Sequence, residues 1–174
     1  MKKAQLTVLA VVGITAAAHF ALAESGEKSV RARLSGFQEV PAVSTTGSGE
    51  FRGKINRTDT ELTYELEYEN LEGTVTQSHI HVGQRGVAGG ISIFLCSNLP
   101  SPPAGTPACP TPGGKVTRTV TAADVIGPTG QGVSAGEFAE VLRALRAGVT
   151  YANVHSSKWP GGEIRGQISD EDRD

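Results

Sequence analysis

The chain has 174 residues, with 16 Lys and Arg against 18 Asp and Glu, so its formal charge is −2. This balance argues against a protein whose main partner is nucleic acid or an anionic membrane surface, because those partners select a basic excess. Its length suits one ordinary domain. The 22 glycines and 9 prolines break the apolar runs into short pieces, which favours an all-β sandwich or barrel.

The first 23 residues have the pattern of a secretory signal peptide. Met1-Lys2-Lys3 is a positive start, an apolar run follows, and Ala21-Leu22-Ala23 is an A-x-A cleavage site. We expect a mature chain that begins at Glu24, has a formal charge of −4 once Lys2 and Lys3 are removed, and is periplasmic or secreted. The alternative is a retained membrane anchor. No second long apolar run follows, so we expect no membrane insertion after signal removal.

Alternating polarity predicts a series of short strands. In residues 61–69 every second side chain is apolar, so one face of this strand packs on a core and the other faces water. Residues 38–43 are predicted to be extended, with Pro41 suited to an edge or a bend. The remaining predicted strands are residues 30–34, 47–55, 75–82, 91–96, 115–121, 151–155 and 163–168.

One helix is predicted, at residues 134–147. Ser134 and Glu137 have the spacing of a capping box, and Gly148 suits the C-terminal stop. An apolar stripe with helical spacing runs along the segment and consists of Phe138, Val141, Leu142 and Leu145.

The histidines of the mature chain fall into two short motifs, because His19 lies in the predicted signal peptide. His79 and His81 lie two residues apart on a strand, so their side chains face the same side. Ile80 and Val82 then face the core, and Val75 shares the histidine face. If the strand that carries His155 lies alongside, the three imidazoles form a set that copper or zinc favours. The alternative is that these histidines hydrogen-bond within the fold.

The predicted ion is a single copper, with zinc as the alternative. An exported setting and the lack of nearby carboxylates in these motifs favour copper, whereas calcium requires oxygen ligands. Glu163 is a candidate fourth ligand or a partner that orients His155, and Asn153 is a candidate for the same role. Glu163 and Arg165 are also expected to form a salt-bridged or backbone-bonding corner.

Cys96 and Cys109 are the two cysteines of the chain. An even pair in an exported protein predicts a disulfide, which stabilises by about 3 kcal/mol in the loop-entropy model. The segment between them is rich in Pro, Ser and Gly and cannot pack by itself. Thiolate ligation of a soft metal is the alternative.

Four stretches of the chain together resemble the CHRD (chordin) domain family. They read LSGFQEVP at 34–41, HIHVG at 79–83, YANVHS at 151–156 and PGGEIRGQI at 160–168. The resemblance covers about residues 31–168, which leaves residues 24–30 as a lead segment and 169–174 as an acidic tail. It implies an all-β, immunoglobulin-like or superoxide-dismutase-like Greek-key sandwich with one short helix, found in animal chordin and in exported microbial proteins. No general activity comes with the family.

The His-x-His pair and the cysteine pair also resemble, more weakly, copper–zinc superoxide dismutase. That family places a His-x-His pair on a strand of a β-sandwich and has an intrachain disulfide. No histidine follows soon after Gly83 that could bridge two metals, and residues 84–90 contain no His/Asp cluster. The expected site is therefore mononuclear.

Together these features predict an exported protein that binds or handles copper rather than one that turns over a substrate. Its expected partners are the metal ion and, as a further candidate, another exported protein. Two other functions fit the sequence: a metal-free module that binds a protein or a glycan, and an oxidoreductase similar to superoxide dismutase.

Overall fold

The computed structural model describes residues 27–170. The predicted signal peptide and the last four residues of the predicted acidic tail lie outside the described residues. Within residues 27–170 no helix is both long enough and apolar enough to span a membrane.

The described chain forms one α-helix and nine strands, and all strand pairs are antiparallel. The elements are β1 (Lys28–Ser35), β2 (Ser48–Ile55), β3 (Leu62–Glu69), β4 (Val75–Val82), β5 (Gly90–Ser97), β6 (Gly114–Val120), α1 (Phe138–Arg146), β7 (Thr150–Ser156), β8 (Ile164–Gln167) and β9 (Ser169–Asp170).

The strands form one sheet in the order β5-β4-β7-β8-β1-β2-β3-β6, and β9 pairs with β1 beside β8. The two ends of the sheet approach each other, because Ile93 of β5 bridges Val125 just after β6 and the Tyr64 hydroxyl of β3 donates to the Leu95 carbonyl of β5 (2.5 Å). The sheet thus curls around one core, as in a β-sandwich. The predicted all-β sandwich with one short helix is confirmed.

The core lies on the inner face of this curled sheet. The alternation predicted for residues 61–69 is present, since Leu62, Tyr64 and Leu66 are at most 1% exposed. The predicted apolar stripe of the helix packs into the same cluster. Each large apolar side chain buried in this way stabilises the fold by about 1.5–3 kcal/mol.

The predicted disulfide is confirmed, with Cys96 and Cys109 bonded and their Cα atoms 5.0 Å apart. Asn98 reinforces the loop between them: its amide donates to the Val75 and Cys109 carbonyls, and its Oδ1 accepts from the Cys109 N–H.

The helix begins four residues later than its capping pattern predicted. Glu137 does accept a hydrogen bond from the Ser134 N–H (2.6 Å), but Gly136 has φ 84°. A residue in this left-handed conformation cannot continue a right-handed helix, so α1 starts at Phe138. Its C-terminal end follows the prediction, with Gly148 at φ 70°.

One further prediction about local structure was wrong: Val75 faces the core and not the histidine side, because the register between β4 and β7 shifts between Val75 and Gln77 and reverses the alternation there. Residues 38–43 form no strand; a 3₁₀ turn at Gly36–Gln38 is followed by a bend that includes Pro41, one of the two settings expected for that proline. Ser169 and Asp170, the first residues of the predicted tail, form β9, with Ser169 opposite Arg31 and Asp170 opposite Val30.

Candidate metal centre

The three histidines meet on the outer face of the sheet, opposite the apolar core. In the β4–β7 register, His79 lies opposite Asn153 and Gln77 lies opposite His155. Ile80, between His79 and His81, is completely buried in the core cluster, so the two histidines point the other way. The tertiary structure therefore brings together the side chains that the sequence placed on two separate strands.

Their nitrogen atoms are close enough to share one ion. One ring nitrogen from each of the three histidines lies within 4.8 Å of the others. The His79 Nδ1 and His155 Nε2 atoms are 3.3 Å apart. Two ligands about 2.05 Å from one ion are about 3.3 Å apart at a tetrahedral angle, so this pair already has the separation of two ligands of a single metal.

The hydrogen bonds on the outer side of each ring determine which nitrogen is free. The Nδ1 atoms of His81 and His155 lie 2.9 Å from the carbonyl oxygens of Gly89 and Pro160. A carbonyl oxygen only accepts, so both Nδ1 atoms carry the proton and both Nε2 atoms keep a lone pair.

His79 is oriented in the opposite sense. Its Nε2 lies 3.2 Å from Gln77 Oε1 and donates to it, which leaves the lone pair on Nδ1, the atom beside His155. The free lone pairs of His79 and His155 therefore belong to the two nitrogens that lie 3.3 Å apart, and His81 keeps a free lone pair on Nε2. Each ring is oriented by a partner outside the cluster, the arrangement that metal-binding histidines use.

Burial keeps the three imidazoles neutral. His79, His81 and His155 are 0%, 6% and 7% exposed. Burial, reinforced by the neighbouring histidines, lowers the pKa of His79 to about 2; burial is also the main cause that lowers the pKa of His81 to about 4 and the pKa of His155 below its usual value. Neutral imidazole is the form that binds a metal.

One buried polar atom of the cluster has nothing to bind within the described chain. His81 Nε2 is inaccessible to solvent and has no hydrogen-bond partner among residues 27–170. Leaving a buried acceptor unsatisfied costs about 1–3 kcal/mol. A metal ion at the convergence point would satisfy this atom, so the residues present fit the ion that their chemistry implies.

Aromatic neighbours hold the rings in place. The His81 ring stacks on Tyr151 at 4.6 Å with an interplanar angle of 3°, and the His79 ring meets Phe94 edge-on at 4.4 Å. The Gly89 N–H donates to the Tyr151 hydroxyl (3.1 Å), which anchors the loop that carries the Gly89 carbonyl. A Cβ at Gly89 would lie 1.8 Å from the Val82 carbonyl oxygen, so this approach requires glycine.

Glu163 does not orient His155; the Pro160 carbonyl does. The Glu163 carboxylate accepts from the Thr45 hydroxyl and from the Glu72 N–H, both at 2.7 Å, and its oxygens are not in the histidine group. Glu163 thereby ties together two loops beside the site.

The corner expected from Glu163 and Arg165 bonds to the backbone and not within itself. The Arg165 guanidinium donates to the Gln84 carbonyl (3.1 Å) and lies 3.4 Å from the Tyr151 ring centroid. Of the two forms expected for this corner, salt-bridged or backbone-bonding, the structure has the backbone-bonding one, and each side chain is held by a different loop.

Asn153 does lie at the site. It is 2% exposed and lies close enough to His79 and His81 to influence the pKa of both. Its Oδ1 atom is buried without a partner among residues 27–170, so it is available at the edge of the cluster.

Sequence reasoning missed Glu39. This side chain is 8% exposed and lies near Asn153 and Arg165. Burial raises its pKa to about 7, although the Arg165 charge opposes the shift. A Cβ at Gly162 would be 2.4 Å from Glu39 Oε1, and Gly162 has φ 128°, so glycine is needed there to admit the carboxyl group. A single acidic residue in a loop has no periodicity from which its burial could be inferred.

Comparison with known proteins agrees with this architecture. The family model described as CHRD domain matches residues 30–168, a span that runs from β1 through β8 and includes the three histidines and the disulfide. No curated protein and no solved structure matches the chain. The chain belongs to the CHRD domain family.

Proposed function

We propose that this protein binds one metal ion, copper in preference to zinc, through His79 Nδ1, His81 Nε2 and His155 Nε2, and that its function is to hold or pass on that ion. The observation that carries the proposal is the meeting of three buried, neutral imidazoles, each with a free ring nitrogen, in which one nitrogen of each ring lies within 4.8 Å of the others. Glu163 and Asn153 are the candidates for a fourth ligand or a supporting role, and Asn153 is the better placed of the two because it influences the pKa of both His79 and His81.

The donor set supports copper over zinc and calcium. Three imidazole nitrogens suit both copper and zinc, and for a given nitrogen site the intrinsic affinity for Cu²⁺ exceeds that for Zn²⁺. No carboxylate oxygen belongs to the described group of ligand atoms, which disfavours calcium.

Binding is favoured over turnover because the rings are covered. The most exposed of the three histidines is 7% accessible, and the loops that carry Gly89 and Pro160 hydrogen-bond to the rings from the outside. A substrate would have to displace these loops at every turnover to reach a bound ion, whereas a stored ion requires their displacement only when it enters or leaves.

The proposal places the protein outside the cytoplasm. The pattern at residues 1–23 fits a signal peptide, and the Cys96–Cys109 disulfide fits an oxidising compartment. In this interpretation the domain at residues 31–168 is the exported metal-binding module.

Metal titration of the purified, chelator-stripped protein tests the proposal. We expect one Cu(II) per chain, with electron paramagnetic resonance showing coupling to three nitrogens. Each of the substitutions His79→Ala, His81→Ala and His155→Ala should remove one nitrogen and weaken binding at least 100-fold.

The matched control removes acidic groups elsewhere. The double variant Glu67→Gln, Glu69→Gln neutralises two carboxylates in the cleft between β2 and β3, the obvious alternative location for a cation. It should bind copper as the unmodified protein does. Copper binding that survives in all three histidine variants and is lost in the acidic variant would refute the proposal.

A second candidate function, contact with another exported protein, has one observation in its favour. Phe37 is 75% exposed, and Val40 and Val87 are 39% and 42% exposed; Val87 lies on the loop that carries Gly89. Phe37→Ser should abolish capture of a metal-delivery partner without changing copper affinity. An assay of superoxide consumption by the copper-loaded protein separates both functions from an oxidoreductase.

A further inference from the structure

A second polar cleft opens on the outer face of the sheet, beside the strands that carry the histidines. Its volume is about 420 Å³, and it lies against β1, β8 and β9. Its polar lining consists of Arg31, Arg33, Arg85, Gln38, Gln167 and Ser169. Three guanidinium groups thus line one small cleft on a protein whose formal charge is negative.

The sheet itself places these cations together. Arg31 and Arg33 lie two residues apart on β1 and share one face, and Ser169 of β9 lies opposite Arg31. Gln38 links the loops: its amide donates to the Arg33 carbonyl (2.8 Å), and its Oε1 accepts from Arg85 (3.4 Å).

None of the described residues that line the cleft is acidic. Within residues 27–170 neither Arg33 nor Arg85 forms a salt bridge. Arg165 is buried nearby; burial is the main cause that lowers its pKa, and the positive charge of Arg85 adds to the effect. An anion in the cleft would offset the positive charge that the lining arginines and nearby Arg165 bring to this part of the sheet.

We propose that this cleft binds a small oxyanion with two negative charges, such as phosphate or sulfate. The planar guanidinium fork matches two oxygens of such a group and makes charge-assisted hydrogen bonds to it. The carboxamides of Gln38 and Gln167 and the Ser169 hydroxyl supply neutral hydrogen-bonding groups at the rim. The proposal uses no residue of the histidine cluster and is independent of metal binding.

Titration of the metal-free protein with phosphate, followed by NMR of backbone and side-chain amides, tests the site. Sodium chloride keeps the ionic strength constant, and sulfate forms a second arm. We expect saturable shifts in Gln38, Arg85 and Gln167 with both oxyanions and none with chloride. The double variant Arg33→Gln, Arg85→Gln should bind phosphate at least tenfold more weakly.

The control variant removes two arginines from other surfaces, with Arg52→Gln and Arg143→Gln, whose side chains are 57% and 78% exposed. It should keep the affinity of the unmodified protein. If both double variants bind phosphate equally weakly, the proposal is overturned. The loss of affinity would then follow from the lower net charge of the protein and not from the arginines of this cleft.

A chain that ends at Asp170 checks for competition from within the molecule, since the sequence continues from β9 with Glu171, Asp172 and Asp174. Phosphate binding that appears only in this shortened chain would also overturn the proposal. In that case the protein's own carboxylates would occupy the cleft.

Discussion

β3 and β4 have the same length but differ in how they bury their side chains. In β3 the inner residues are buried, and outer residues such as Glu67 remain in water. In β4 both faces are covered around the histidines: Ile80 faces the core, and His79 on the other face is equally inaccessible. The comparison shows that polar residues on the outer face of a sheet can form a buried binding site only where loops cover that face, as they do over β4 and not over β3.

The largest expected change in stability is the one that copper causes at the histidine face of β4. Copper at 1,000 times its dissociation constant should raise the free energy of unfolding by about 4 kcal/mol, because the ion binds the assembled site and not the unfolded chain. At the same copper concentration His155→Ala should lose about 2.7 kcal/mol or more of this gain, because its affinity is at least 100-fold weaker; thermal unfolding with and without copper measures the loss. Glu65→Gln, on the outer face of β3, is the control and should keep the gain.

The next largest change in stability is expected when a residue of the inner, core-facing side of β3 is truncated. Leu66 is completely buried, so Leu66→Ala should lower the free energy of unfolding by about 3 kcal/mol through lost burial and the cavity left behind. Urea denaturation measures the loss. An effect as small as that of a surface substitution would contradict the position of the core.

Glu39 provides a test by pH. Its pKa is raised to about 7 in the folded protein, from 4.5 when unfolded, so the folded state holds a proton that the unfolded state releases between these values. The stability contributed by this group is therefore present below pH 4.5 and is lost as the pH rises through 7, with a slope of about 1.4 kcal/mol per pH unit at most.

Glu39→Gln should abolish this part of the pH dependence. Urea denaturation at pH 5, 6 and 7 measures it, and the stability of the variant relative to the unmodified protein should increase along that series. Glu61→Gln changes an exposed carboxylate in the same way and should leave the slope intact. Parallel slopes for Glu39→Gln and the unmodified protein would show that Glu39 is not buried with a raised pKa.

The smallest effect is expected on the outer face of β3. Lys115 bridges Glu65 at 2.9 Å and Glu67 at 3.5 Å, but these groups are exposed and screened by water. Lys115→Gln should leave the denaturation midpoint unchanged within measurement error. A change in the denaturation midpoint as large as that of Leu66→Ala would contradict the assignment of Lys115 and its partners to a solvent-exposed face that adds little to stability.

Local patterns predicted the inner half of the molecule well. The alternation of β3, the apolar stripe of α1 and the cysteine pair are governed by neighbours in the sequence and by burial on one side, and all three were confirmed. The predictions that were wrong depended on single backbone positions: the left-handed Gly136 before α1 and the shifted register near Val75.

The outer half was only partly predictable. The His-x-His spacing and the strand around His155 indicated which side chains could meet. The backbone partners Gly89 and Pro160 could not be identified in this way, because a carbonyl group carries no sequence signal, whereas the alternation of β4 already places Gln77 on the face of His79. Glu39 was missed because it lies in a loop whose path depends on the rest of the fold.

The sequence by itself determined the strands, the disulfide, the family and the identity of the three histidines, because these depend on residue type and on spacing along the chain. The tertiary structure alone decided that β4 and β7 are neighbours, which nitrogen of each ring is free, and that the loops of Gly89 and Pro160 cover the cluster. These features arise from pairing between distant segments, and the low pKa values of the histidines follow from that burial.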